Sequence, residues 1–137
     1  MIRIIYISSA VAPLSDSELD ALLEASRRNN QKRGVTGLLL YRDGDFMQIL
    51  EGEEAPVREI YARILADPRH SRVIQLDDSP IASRGFGEWS MGFQRIRASD
   101  APAGFVDFFS GVGEAGALPG RGSEAFQFLL GFREIGR

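Results

Sequence analysis

Gln48 is the residue of this 137-residue chain whose surroundings demand the most of its side chain. It lies in Asp45-Phe46-Met47-Gln48-Ile49-Leu50-Glu51, a run that reads as a strand. Phe46, Gln48 and Leu50 share one face and Met47 and Ile49 the other, so both faces are expected to be buried. A buried primary amide brings two donors and an acceptor. Each group left unpaired costs about 1–3 kcal/mol, so something polar must meet it. Other polar groups are less demanding on their own. Tyr6 reads as a packing residue whose hydroxyl finds a carbonyl. Asn29-Asn30 reads as a helix terminator. Arg63 and Asp67, four apart, read as a solvated helix pair worth a few tenths of a kcal/mol. The single histidine, His70, falls in a polar turn and reads as structural or solvent-facing.

Composition removes several kinds of chemistry. No cysteine is present, which excludes disulfides, thiolate catalysis and cysteine-ligated metals, and one histidine cannot build a histidine metal site. A net charge of −3 does not favour electrostatic capture of nucleic acid. Hydrophobic residues at 44% and charged residues at 26% are ordinary globular values. No apolar run approaches the roughly 20 residues of a membrane helix. The amino terminus passes straight into Ile2-Arg3-Ile4-Ile5-Tyr6-Ile7 without a signal-peptide cleavage site, so a cytoplasmic location is expected.

The elements that must position these residues follow from local pattern. Residues 2–8 alternate with β-branched enrichment, a strand with Ile2, Ile4, Tyr6 and Ser8 on one face. Ser15 and Glu18 form a capping box that opens a helix with Leu19, Leu22, Leu23 and Ser26 on its inner face, expected to end near Asn29-Asn30. Asp43-Gly44 between 35–42 and 45–51 signals a tight hairpin, because both residues tolerate positive φ. Glu53-Glu54-Ala55-Pro56 suits a helix first turn. Val57, Ile60, Tyr61, Ile64 and Leu65 then form one core-facing stripe, ended by Pro68. Residues 72–77 read as a strand, and another is expected near 88–96, with Trp89, Met91 and Phe93 on one face.

The order predicts an α+β fold, ferredoxin-like βαββαβ with a fifth strand, a five-stranded mixed sheet and two helices on one face. Beyond residue 97 come Phe105, Phe108 and Phe109, a spacer from Gly111 to Gly122, and a helix from Ser123 carrying Phe126, Phe128, Leu129, Leu130 and Phe132. Apolar side chains on more than one face of so short a helix imply docking on the open face of the sheet or on a partner subunit. Two parts are therefore expected, a folded domain over 1–97 and a C-terminal extension over 98–137.

Several separated motifs coincide with one family. Tyr6 and Ser8, Arg28-Asn29-Asn30, Gly34-Val35-Thr36-Gly37-Leu38-Leu39-Leu40-Tyr41, and Phe46-x-Gln48-x-Leu50-Glu51-Gly52 resemble the BLUF blue-light sensors that use FAD. Asp67-Pro68-Arg69-His70 and Trp89-Ser90-Met91 extend the resemblance over about residues 1–97. Val35 stands where isoleucine is commoner.

The resemblance implies a flavin ring held between the two helices, with Gln48 between the ring edge and Tyr6. Asn30 would hold the pyrimidine end, with Asn29 and Asp67 beside it and Arg63 as a further contact. Leu22 and Ile64 would be apolar clamps on either side of the ring, and Ser8 a relay partner. Trp89 and Met91 match a pair near the glutamine. FAD is the implied cofactor, with FMN or riboflavin as substitutes. A photoexcited flavin can take an electron and a proton from a phenol bonded through an amide, and only a primary amide can then exchange its donor and acceptor ends. A new bond to the flavin C4 carbonyl would shift absorption to the red without substrate turnover. The extension matches no output domain, so output is expected through a homo-oligomer or a separate signalling protein. Two other readings stand beside this one: a small flavin-dependent redox enzyme and a cofactor-free interaction module.

Overall fold

The computed structural model describes residues 1–87, 91–95, 125–127 and 129–130. The elements run β1 (Ile2–Ala10), α1 (Asp16–Arg33), β2 (Thr36–Arg42), β3 (Asp45–Gly52), α2 (Glu54–Ala66), β4 (His70–Pro80) and β5 (Gly92–Arg95). The sheet order is β4-β1-β3-β2-β5. Every pairing is antiparallel except β2 with β5, which is parallel, so the expected mixed ferredoxin-like sheet is present.

Local chemistry explains the joints. Ser15 Oγ accepts from the Glu18 N–H at 3.2 Å while Glu18 Oε1 accepts from the Ser15 N–H at 3.0 Å, closing the capping box. The hairpin turn takes positive φ at both Asp43 (48°) and Gly44 (93°), matching the right-handed twist of the strands it joins. α1 runs one turn beyond the expected end at Asn29-Asn30. Gly34, left-handed at φ 67°, is the cap, and its N–H bonds the Asn30 carbonyl oxygen. The asparagine pair thus lies inside the last turn of the helix. Asn30 is 2% exposed, turned into the protein instead of terminating the helix.

The sheet separates two cores. Against α1 and α2 lie Ile2, Ile4, Leu39, Phe46 and Leu50 with Leu19, Leu23, Val57 and Ile60. On the opposite face lie Ile5, Ile7, Leu38, Leu40, Met47 and Ile49, covered by Phe86, Ala125 and Leu129. Ala125, Phe126, Gln127, Leu129 and Leu130 are helical, and Phe126 and Leu130 pack at the margin of this second core. Docking of this segment on the open face of the sheet is therefore observed. Phe105, Phe108, Phe109, the Gly111–Gly122 spacer, Phe128 and Phe132 lie outside the described residues.

Two strands also differ from expectation: β4 is longer than 72–77, and β5 begins at Gly92, so that Met91 precedes it. Leu65, placed on the core stripe of α2, is 55% exposed. The buried positions of that helix are Val57 and Ile60, while Tyr61 and Ile64 are only partly covered. Among the described residues no helix is long and apolar enough to cross a membrane.

Candidate functional site

β1 and β3 are direct neighbours, and their register sets Tyr6 opposite Gln48. Cross-strand partners hold their Cβ atoms about 5 Å apart, so a phenol and an amide on the same face meet without any loop to position them. The Tyr6 hydroxyl donates to Gln48 Oε1 in a short hydrogen bond. At its other end, Gln48 Nε2 donates to Met91 Sδ at 3.3 Å. A thioether is a weak acceptor, so the donor end of this buried amide is only weakly satisfied among the described residues. The backbone beneath Met91 is held separately, its carbonyl oxygen accepting from Arg27 Nε at 2.9 Å. Arg27 carried no signal in the sequence, because its bond spans sixty-four residues.

Burial dominates the electrostatics of Tyr6, which is 1% exposed. It pushes the phenol far above its ordinary value, assisted by the nearby Tyr61 and Asp67. Tyr6 is therefore neutral and keeps its proton on the oxygen that faces Gln48. The Tyr61 ring lies 5.6 Å from that of Tyr6 at 46°.

In front of this pair opens a cleft of about 230 Å³ between α1 and α2. Leu22, Asn29 and Asn30 line it from α1, and Ile60, Arg63 and Ile64 from α2. Tyr6, Leu39, Phe46 and Gln48 form its floor, with Asp67, Arg69 and His70 at one end. Leu22 and Ile64 are only partly buried because they face the cleft. Two apolar walls with amides between them suit a flat heteroaromatic ring carrying ring-edge donors and acceptors, so these residues fit a flavin.

Seven of the residues singled out from sequence, Leu22, Asn29, Asn30, Gln48, Arg63, Ile64 and Asp67, share this cleft with Tyr6. Met91 stands behind Gln48, and Trp89 lies outside the described residues. Ser8 is 1% exposed and does not line the cleft. Its hydroxyl faces His70 Nδ1 at 2.9 Å. Of the two readings expected for His70, structural or solvent-facing, the structural one is therefore observed. Its ring packs 5.0 Å from Phe46 and edge-on to Tyr6 at 6.4 Å, and burial lowers its pKa. Arg63 and Asp67 do not form the expected pair: Arg63 Nη2 bonds Glu59 at 3.3 Å, whereas Asp67 takes the Arg69 guanidinium at 2.7 Å. That guanidinium holds the Asp67 carboxyl below its ordinary value.

Comparison with known proteins agrees with this geometry. Residues 1–92 match the BLUF family, described as sensors of blue-light using FAD. The chain is 38% identical over 87 residues to photoactivated adenylate cyclase subunit beta of Euglena longa, covering 63% of this chain and 10% of that protein. It is 35% identical over 80 residues to the blue light- and temperature-regulated antirepressor BluF of Escherichia coli K12, covering 58% of this chain and 20% of the relative. The chain thus spans a fifth or less of the length of these curated relatives. Among solved structures, the dark-state structure of BlrB, a BLUF protein, superposes with a TM-score of 0.71 at 27% identity, over 94% of this chain and 93% of that one. With its helix-walled cleft and more than half its length matched, this chain belongs to the BLUF family of blue-light sensors, and its cofactor is a flavin.

Proposed function

We propose that light sensing in this chain runs through Tyr6 and Gln48, with the flavin held in the cleft between α1 and α2. The observation that carries this reading is the continuous chain from Tyr6 Oη through Gln48, both lining the cleft, to Met91 Sδ behind them. Asn30, with Asn29 and Asp67, would hold the pyrimidine edge of the ring and Arg63 a further part of the flavin. Leu22 and Ile64 would close on its faces. When bound, the flavin supplies a strong one-electron oxidant on absorbing blue light. Tyr6 is placed to release an electron and, through Oη, a proton toward Gln48. Gln48 can turn its amide end for end or tautomerise, so that after the proton returns to Tyr6 the same atoms are joined by different hydrogen bonds. Gln48 would then present a different group to Met91, and the change passes into β5. Ser8, bonded to His70, is one connection removed from the switch and steadies the β1–β4 edge of the cleft.

This chain acts as a sensor, without substrate turnover of its own. The relatives named above are far longer, and one of them is a cyclase subunit. We assign residues 1–97 to the sensor and 98–137 to an extension that passes the signal to a second copy or to a separate signalling protein. Purified protein illuminated with blue light tests the reading. A small, dark-reversible red shift of the flavin band is expected. Lasting loss of that band under anaerobic illumination, with no added donor, would favour the redox-enzyme reading.

A further inference from the structure

Glu51 is fully buried, yet its position on β3 is remote from the cleft. By strand alternation it shares the second face of the sheet with Met47 and Ile49, opposite to Gln48. Its two carboxylate oxygens accept from consecutive backbone N–H groups, Oε2 from Gly85 at 2.8 Å and Oε1 from Phe86 at 2.7 Å. A carboxylate withdrawn from water persists only where donors and opposite charge meet it. Burial pushes the Glu51 carboxyl above its ordinary value, and the two N–H groups together with Arg3 and Arg84 oppose that rise. Arg84 also ties down the same turn, its Nη1 donating to Thr36 Oγ1 at 3.0 Å and to the Glu51 carbonyl oxygen at 3.3 Å.

The clamped residues belong to the connection from β4 to β5, the segment that carries Met91. Two side chains of β3 therefore grip this segment from opposite faces of the sheet. Glu51 holds its start at Gly85 and Phe86, and Gln48 meets its end at Met91 Sδ. The start also supports the C-terminal helical segment. Phe86 packs edge-on to Phe126 at 6.5 Å, and the Arg3 guanidinium lies over the Phe126 ring at 4.0 Å. A Cβ at Gly85 would come within 2.9 Å of that ring, so a side chain there would have to displace Phe126.

We infer that Glu51 is a positioning residue for the switch: by clamping Gly85 and Phe86 it fixes where Met91 Sδ stands against Gln48, and it joins that position to the packing of Phe126. This rests on the reading of the cleft as a flavin photosite. A carboxamide of the same size keeps one acceptor but turns an amino group toward a backbone N–H, so Glu51→Gln opens the clamp at one point.

The test uses the full, flavin-loaded chain with 13C-methyl methionine. Of the three methionines, Met91 is assigned by its disappearance in Met91→Leu. In Glu51→Gln the Met91 methyl resonance should move in the dark, and dark recovery after blue light should change several-fold while the red shift itself persists. The inference is overturned if Glu51→Gln holds flavin with an unmoved Met91 resonance and wild-type recovery, even with a lower melting temperature, since that is a purely structural role. If Glu51→Gln does not hold flavin, Arg84→Gln loosens the same turn, and the same two readouts decide. The methyl measurement is made in the dark, so it judges the clamp even if the unsubstituted chain shows no red shift, a result that would fail the photosite reading instead.

Discussion

Tyr6 and Gln48 face each other across the β1–β3 ladder, and the phenol of one donates to the amide oxygen of the other. The bond lies between two adjacent inner strands of the sheet, at the floor of the cleft between α1 and α2. The two Cα positions are fixed by the ladder. What can change is the orientation of the amide.

Tyr6→Phe is expected to keep bound flavin and to abolish the red-shifted state, because it removes the proton and the readily oxidised phenol together. The substitution leaves Gln48 Oε1 without its donor, at a cost of about 1–3 kcal/mol. A light-minus-dark absorption spectrum and a chemical denaturation curve check both parts. A normal red shift in this variant would remove Tyr6 from the photochemistry.

Asn30→Ala is expected to weaken flavin retention. Asn30 is a buried amide lining the cleft from the last turn of α1, where alanine offers no hydrogen bond to a ring edge. Flavin content after gel filtration measures this. Full retention would mean that the ring edge is held elsewhere.

Gly37→Ala is expected to destabilise the fold by about 3 kcal/mol or more, since a Cβ there would overlap the backbone carbonyl of Ile49, and relieving that overlap would disturb the neighbouring Met91 methyl. Both the melting temperature and the position of Met91 should respond. A variant as stable as the parent would show that β2 and β3 can separate freely at this point.

His70 sets a pH dependence. Burial lowers its pKa below the ordinary 6.5, so the unfolded chain binds the proton more readily than the folded one. Stability should therefore be at its full value above about pH 6.5 and fall as pH drops through the range below it. Urea unfolding from about pH 5 to 7.5 should show this loss in the parent and a smaller one in His70→Gln. An equal loss in both would assign the effect to other groups.

Much of this architecture is legible in the sequence because its signals are local. Ser15 and Glu18 announce a helix start, and Asp43-Gly44 a hairpin, through chemistry confined to a few residues. Gln48 stands out because an amide breaks an apolar face, and once the hairpin is recognised its burial follows. For His70 a structural role was legible but its partner was not. It reaches Ser8 across β1 and β4, whose ladder shifts register between Ile5 and Tyr6 and again between Ile7 and Ser9, so no sequence spacing reports the contact. The α1 boundary was misread because two asparagines and a later glycine can each end a helix. The left-handed cap fell to Gly34, which adopts it without the Cβ penalty, and this released Asn30 for the cleft. Leu65 looked like core by period alone, but the inner face of α2 is narrower than a full stripe because part of it borders the cleft. Glu51 offered no warning, since a buried carboxylate is recognised only by the N–H groups that meet it.

The central claim is that light is stored as rearranged hydrogen bonding at Gln48, and Gln48→Leu tests it most directly. Leucine nearly preserves the volume of the side chain while removing both the acceptor for Tyr6 and the donor to Met91. The measurement is the light-minus-dark absorption spectrum of the flavin-loaded variant beside that of the parent. A dark-reversible red shift in the parent and none in Gln48→Leu, with flavin still bound in both, is the expected result. A red shift of normal size in Gln48→Leu would contradict the account.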